Sequence, residues 1–547
     1  MVRQGLRSIL VLSFASAVAL SGSSLTVEEL DALSAEESRR EVPRCAEWNV
    51  QALKFSRPPA FAFPPLLKFM NGVYRYTVTA GAKTLVFTNK ASVASLAPVW
   101  DDLPDGWMTV TCEGVDDLGR VPTEPLGSRT FWKAPRFRPG KYPPPRRSFR
   151  EAARMAFDWT FAHPYVKGLE RDGVPSVSYE LSVYPTKMLT SVISAAVTAG
   201  RLDLARQAAD YLLSISQPKD APLACFPPTY YFPEGYKGGG AVAGGKAGRE
   251  NMSVYPLGAI KAYTALYAAT KDGKYRVAAT DLADSFLACR AKDGSWALLY
   301  DEKTGQPIGT NKLVPVRVED AFASLADTTG ERRYRQVADE VWNDLEATRL
   351  AEWDWEGQFE DQNCSRKYEN LTHVDISSGE GLLASLLRRY PADPSKGADR
   401  ARELLRFVED QFVFWDCAFQ PLPEKLPRQW KWAASAMAWQ APNERDWIFP
   451  CAVEQYYYYV PVDASVAAII QSFLRMHKAS GNPLDLEKAK ALGATMTRRQ
   501  ESDGFIATAW NYKAEMRSTE ERKNVWINCI LQSAAALNEL ADACGEP

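Results

Sequence analysis

From Tyr184 onward one pattern recurs five times, and it limits the fold more than any other feature of the 547 residues. An apolar helical stretch ends in a tight, Gly-containing turn, and a second helical stretch with small residues on one face follows at once. The first members are Tyr184–Gly200, Tyr255–Gly273, Val318–Gly330, Leu371–Tyr390 and Val462–Gly481; the second begin at Ala199, Lys271, Thr329, Lys396 and Ser480. Each pair makes a helical hairpin, repeating every roughly 55 to 85 residues, with a short turn at one end and a long aromatic-rich connection at the other. A regular solenoid would have short links at both ends. Here every long connection follows a second helix, so all of them gather on one face. An opening helix, Ser148–His163, and a closing helix, Val525–Ala541, bring the count to about six hairpins, enough to close a ring.

The chain ahead of the hairpins has a different period. Val73–Ala80, Lys83–Lys90, Trp107–Asp116 and Ser128–Ala134 alternate or run β-branched and aromatic between Gly, Pro and Asp breakers. These strands predict a small β-sandwich module over 58–140, closed by the proline-rich linker Pro135–Arg147. Residues 22–57 form an N-terminal extension with a Glu-rich helix at Val27–Arg39. Residues 1–21 read as a signal peptide: Arg3 and Arg7, an apolar run from Ile9 to Leu20, and Ala17-Val18-Ala19 as a small-residue cleavage site. The expected location is periplasmic or secreted, with no membrane span. The helical part, 141–547, is the expected catalytic domain.

Composition removes several function classes. The formal net charge is −2, with acids and bases interspersed, which gives no footprint for nucleic acid or an anionic membrane. The nine cysteines stand singly with no C-x-x-C pair, and only three histidines are present, so metal-ligand spacing is absent and no cofactor is expected. The odd cysteine count leaves at least one outside any disulfide framework. Sixteen Trp and twenty-three Tyr fall mostly in the connections, where a carbohydrate partner would meet them.

One connection concentrates this chemistry. Trp353–Asp375 holds two Trp, a Tyr, the carboxylates Asp354, Glu356, Glu360, Asp361, Glu369 and Asp375, then Asn370 and His373, with no apolar period. Aromatic faces beside carboxylates and amides suit a sugar cleft; an acidic surface loop whose Trp residues plug helix ends is the plainer reading. His373 follows Asn370 by three residues, which sets both on one face at a helix start, where the dipole favours an anionic group. Arg249, Asn251 and Tyr255 lead into another inner helix, and Arg317 into a third. The glycine-rich run Gly238–Gly248 lacks the strand-then-helix context of a phosphate loop and is expected to be a flap over the cleft. Glu454–Asp463 carries Tyr456 as a sugar platform or as packing. His163 and His477 sit at helix ends and read as caps.

Hairpins with Asp-Gly-aromatic turns such as Lys292–Trp296, and aromatic loops on one face, resemble the (α/α) toroids of carbohydrate-active enzymes over about 400 residues. The phrases YPTK (Tyr184–Lys187), FPPTYY (Phe226–Tyr231), WEGQFED (Trp355–Asp361) and YENLT (Tyr368–Thr372) are similar to exported bacterial lyases acting on uronic-acid polymers such as alginate or glucuronan. That resemblance implies β-elimination on an acidic polysaccharide. It casts His373 and Tyr255 as base and acid in unassigned order, and Asn370 with Arg249 or Arg317 as holders of the substrate carboxylate. Asn251, Glu356 and the platforms Trp353, Trp355 and Tyr456 complete the binding set. No metal is assigned, with calcium left open as the neutraliser. The alternatives are a glycoside hydrolase on the same toroid, drawing its carboxylates from Glu356, Glu360 and Asp361 with Asp375 or Glu454 as partner, and a non-catalytic glycan-binding protein.

Overall fold

The computed structural model of the chain describes residues 25–42, 52–66, 73–116, 118–121, 124–236, 245–358, 371–390, 394–417, 447–454, 461–508 and 526–547. The expected signal peptide, most of the glycine-rich flap, Asn370 and Tyr456 lie outside them.

The first helix, α1 (Val27–Ser38), starts in a capping box: the Thr26 backbone N–H donates to Glu29 at 2.8 Å, and the Glu29 N–H donates to Thr26 Oγ1 at 3.2 Å. Seven strands follow: β1 (Lys54–Phe55), β2 (Ala60–Ala62), β3 (Val73–Ala80), β4 (Lys83–Asn89), β5 (Val93–Ser95), β6 (Gly106–Val115) and β7 (Gly127–Lys133). They form a five-stranded sheet in the order β1-β7-β6-β3-β4 and a β2–β5 ribbon. All pairings in it are antiparallel except β1 on β7. On β3 and β6 every second residue is buried, as the alternation requires. The ribbon lies over the sheet: the Phe61 ring is 5.7 Å from Phe55 and 5.2 Å from Phe131, an aromatic seal between two layers. The module thus begins at Lys54, ahead of the expected 58.

The proline-rich segment after it does not hold the module at a distance. Phe137 stacks on Tyr142 at 5.3 Å and meets Trp415 of the helical part at 4.7 Å. Ser34 of α1 donates to the Phe137 carbonyl at 2.6 Å. Extension, linker and helices share one apolar core.

The helical part comprises α2 (Phe149–Ala162), α3 (Pro164–Asp172), α4 (Pro185–Thr198), α5 (Leu202–Ser214), α6 (Val254–Thr270), α7 (Gly273–Ala288), α8 (Val316–Thr329), α9 (Arg332–Ala347) and α10 (Arg349–Glu352). Then come α11 (Val374–Ser377), α12 (Leu382–Arg389), α13 (Pro394–Phe412), α14 (Asp463–Ser480), α15 (Pro483–Arg499) and α16 (Ile527–Ala543). The hairpins α4–α5, α6–α7, α8–α9, α12–α13 and α14–α15 each pack internally, and α2 packs on α16. Their first helices also pack in sequence: α4 on α6, α6 on α8, α8 on α12, α12 on α14, α14 on α16, and α16 back on α4. Six inner helices therefore close a ring and six outer helices surround it, an (α/α) toroid. Inner helices are buried on nearly every side; in α14 every residue from Asp463 to Leu474 is buried.

The inner-to-outer turns are short because left-handed residues stop the helices. Gly330 at φ 76° and Gly481 at φ 69° donate back to Ala326 and His477, both at 2.8 Å. Asn482 then accepts from the Leu484 N–H and starts α15. One expected helix is broken: Leu371–Tyr390 becomes α11 and α12. A Cβ at Gly381 would lie 2.5 Å from the Ile376 carbonyl oxygen, so only glycine lets the chain fold back there.

Candidate active site

Because inner and outer helices alternate, every inner helix begins on the face that receives the long connections. Six positive helix ends and their approach segments frame one mouth. Among the described residues its richest side lies where α16 meets α4. Tyr184, just ahead of α4, is 5.2 Å from the Trp526 ring and 5.6 Å from Tyr230. Lys187, in the first turn of α4, sets its ammonium 4.4 Å from the centre of Trp526, and Lys246 lies 5.5 Å over Tyr230.

Glu454 arrives on the connection ahead of α14. The strand β10 (Val413–Phe414) pairs with β11 (Cys451–Ala452), and an isolated bridge joins Val453 to Pro461. Glu454 is half-buried. Burial pushes its carboxyl up to about 7, with Lys187 pulling the other way. Cys529, in the first turn of α16, feels the same pair: burial raises its thiol to about 12 against Lys187, and Glu454 adds to the rise. Glu454, Lys187 and Cys529 are thus electrostatic neighbours at one edge of the mouth.

The His373 backbone N–H reaches the Glu454 carbonyl at 3.5 Å, so the α11 start adjoins this edge. The His373 side chain itself is 1% exposed; Nδ1 is 2.5 Å from Ser377 Oγ, and the ring lies against Phe412 at 5.3 Å. Burial draws its pKa down to about 3, so the imidazole is neutral. Asp375 is buried and its carboxyl is raised by burial, with Arg349 and Arg317 opposing. It accepts from the Gln358 N–H at 3.4 Å. Arg317, in the first turn of α8, also pairs loosely with Glu380 at 3.8 Å.

The segment expected to supply sugar platforms does something else with its rings. Trp353 and Trp355 meet edge to face at 4.4 Å, and both contact Phe407 of α13. Trp355 is 4% exposed, which leaves no open face for a pyranose ring. Glu356 bridges Leu371 through its main chain, and its carbonyl accepts from Arg349. This stretch latches the end of α9 to the start of α11.

Arg249, Asn251 and Tyr255 form another group. The strands β8 (Glu250–Met252) and β9 (Leu299–Asp301) pair just ahead of α6. Arg249 is exposed. Asn251 is fully buried and donates to the Pro227 carbonyl at 2.8 Å. Tyr255 is 7% exposed in the first turn of α6. Beside them Glu302 is buried, and burial raises it to about 7, against a hydrogen bond from Asn251.

The structure therefore brings His373, Asp375 and Arg317 to one side of the mouth and Arg249, Asn251 and Tyr255 to another. Lys187, Lys246, Trp526 and Glu302 went uncast in the sequence, although Lys187 stands inside YPTK. Lys187 and Trp526 share one signal, a place at the start of an inner helix, while Lys246 and Glu302 stand in turns flanking the β8–β9 ribbon. No group of three His, Cys, Asp or Glu side chains among the described residues is set to hold a metal ion.

No known family's profile matches the sequence, and no curated protein is found as a relative. Solved structures give distant likenesses. A family 76 glycoside hydrolase from a bovine Bacteroides thetaiotaomicron strain has 13% identity and a TM-score of 0.44, over 87% of this chain and 93% of that one. Cellobiose 2-epimerase from Bacillus thermoamylovorans has 12% identity and a TM-score of 0.48, over 72% and 99%. A polysaccharide lyase has 11% identity and a TM-score of 0.37, over 80% of this chain and 56% of that one. The assignment of the ring rests on its own helix contacts. No described helix is long and apolar enough to cross a membrane.

Proposed function

We propose that this chain is a glycan-processing enzyme that works at the mouth of the ring and uses Glu454 as its proton donor. The observation that carries the reading is the Glu454 carboxyl, pushed up to about 7 by burial and faced by Lys187, whose ammonium lies over the Trp526 ring that Tyr184 packs against. Breaking a glycosidic bond needs a proton on the departing oxygen, and a carboxylic acid whose pKa lies near the working pH gives it best. Tyr184 and Trp526 supply apolar faces for a sugar ring, and Lys187 holds polar substituents.

Hydrolysis is the favoured chemistry. Asp375 is the second carboxyl on this side, to activate the water, and a carboxyl separation of about 6.5–9.5 Å would go with inversion. Elimination on a uronic-acid polymer is the second reading. Lys187, Lys246 and Arg317 favour it, because a uronate must have its charge neutralised before C5 gives up a proton. In that reading His373 and Tyr255 exchange the protons, Asn370 and Arg249 or Arg317 hold the carboxylate, and chelation of calcium leaves the rate unchanged. That reading leaves the raised Glu454 carboxyl without a role, which puts hydrolysis ahead.

Purified protein with a panel of neutral and acidic polysaccharides decides. New reducing ends without ultraviolet absorbance support hydrolysis. Absorbance from a C4–C5 double bond supports elimination. Binding without either product, or products unchanged in Glu454→Gln, would sink the assignment.

A further inference from the structure

A pocket of about 20 Å³ lies away from the mouth, where α1, the strand module and the outer helices α13 and α15 meet. Ser34, Glu37, Ser56, Arg57, Arg406 and Lys488 are among its walls. Most charges around it are already matched. Lys488 is 2.6 Å from Glu37 and 2.7 Å from Glu409. Arg136 holds Asp31 at 2.8 Å, and Arg402 holds Asp485. Arg406 holds Glu403 and stands 3.7 Å from Glu37. Asp410 accepts from the Ser56 N–H and hydroxyl and from the Arg57 N–H.

Arg57 is the exception. Its side chain is 5% exposed, Glu403 stands 3.8 Å away with Asp410 and Glu409 acting on it as well, and none of its three guanidinium nitrogens has a hydrogen-bond partner among the described residues. Arg406 Nε is orphaned in the same way. A guanidinium stays charged in any protein, and a buried charge without acceptors destabilises the fold much as a broken buried ion pair does. The donors of Arg57 need an acceptor, and the carboxylates nearby are engaged with Lys488, Arg402, Arg406 and the backbone. The volume exceeds the roughly 10–15 Å³ that one water needs, which is room for one small ion.

We infer that this pocket is a binding site for a monatomic anion of the halide class, chloride in practice, held by Arg57 and Arg406. The anion completes the junction between α1, the strand module and the toroid. It acts on the stability of that junction and leaves the chemistry at the mouth to other residues.

The test uses the full chain at constant ionic strength. Sodium gluconate is exchanged stepwise for sodium chloride or bromide, and in a parallel series for sodium sulfate, while the thermal midpoint is followed. The expected result is a saturable rise of a few degrees with either halide, no such rise with sulfate, and loss of the halide response in Arg57→Gln. An equal response in the variant, or none in the wild type, overturns the proposal and leaves the pocket to water. Should Arg57→Gln fail to fold, crystals of the wild type soaked in bromide decide. An anomalous peak in contact with Arg57 supports the site, and its absence at saturating bromide rejects it.

Discussion

At the scale of single residues, what separates Glu454 from the other acids is its surroundings. The sequence has 67 acidic side chains and offers no pattern that singles one out. Glu454 entered the reading only as a partner in the hydrolase alternative, since burial and a facing lysine are properties of the folded chain. The same reason moved Trp355 from platform to packing: an aromatic residue in a polar loop reads alike whether its face is open or pressed on Phe407. The consequence for Glu454 can be measured twice. As the proton donor it is active when protonated, so the rate should fall as pH rises through about 7, and Glu454→Gln should lose at least 100-fold in kcat together with that limb. Stability moves in the matching sense. A carboxyl raised from 4.5 to about 7 binds more protons folded than unfolded between those values, so the native state loses stability as pH rises through that window. Glu454→Gln removes the penalty and should be more stable than wild type by about 3 kcal/mol at pH 8, with no difference near pH 4. Urea melts at the two pH values check it; equal differences at both would show that Glu454 titrates normally.

At the scale of elements, the hairpins were legible because an amphipathic helix advertises its period and a Gly turn its end. The break between α11 and α12 was not, since the apolar spacing continues across Ser378–Gly381 while the backbone turns. The broken helix is fastened to the ring largely by charge. Glu319 of α8 is fully buried and accepts from Ser385 at 2.5 Å, Arg388 at 2.6 Å and Arg389 at 2.8 Å. Asp320 accepts from Arg388 at 2.7 Å and pairs with Lys261 of α6 at 2.5 Å. Glu319→Ala removes the buried acceptor shared by Ser385, Arg388 and Arg389, while Arg388 keeps Asp320 and Arg389 keeps Asp339, so it should cost about 1–3 kcal/mol, read as a lowered denaturant midpoint. Apolar seams fail in another way. Gly493 of α15 faces α16 and α2 so closely that a Cβ would sit 2.3 Å from Leu540 Cδ2 and 3.1 Å from Phe149. Alanine there gains about 1 kcal/mol of helix propensity, and the forced shift of Leu540 and Phe149 costs about 1–3 kcal/mol. Gly493→Ala should therefore lower the thermal midpoint, whereas the same change at Gly273, with nothing near its Cβ, should not.

At the scale of the whole molecule, the change of period near Pro135 reads in the sequence as a boundary between two units, yet the fold joins them through buried polar groups. Lys54 of β1 is 1% exposed; its ammonium donates to the Asp410 carbonyl of α13 and lies 4.9 Å over Phe414. Gln411 donates back to the Lys54 carbonyl at 2.7 Å. These bonds cannot be kept by either unit alone, so the strand module and the toroid should unfold in one calorimetric transition. Lys54 also lets pH test the junction. Burial lowers its pKa from 10.5 to about 8 against the pull of Asp410 and Glu409. Between those values the unfolded chain binds the extra proton, so this group adds stability as pH rises from about 8 to 10.5 and penalises the folded state below 8. Lys54→Met has no such term. The stability of wild type relative to Lys54→Met should therefore climb by about 3 kcal/mol from pH 7.5 to 10.5, within a single transition at both ends. A flat difference would place the Lys54 ammonium in water, and with it a strand module that moves free of the ring.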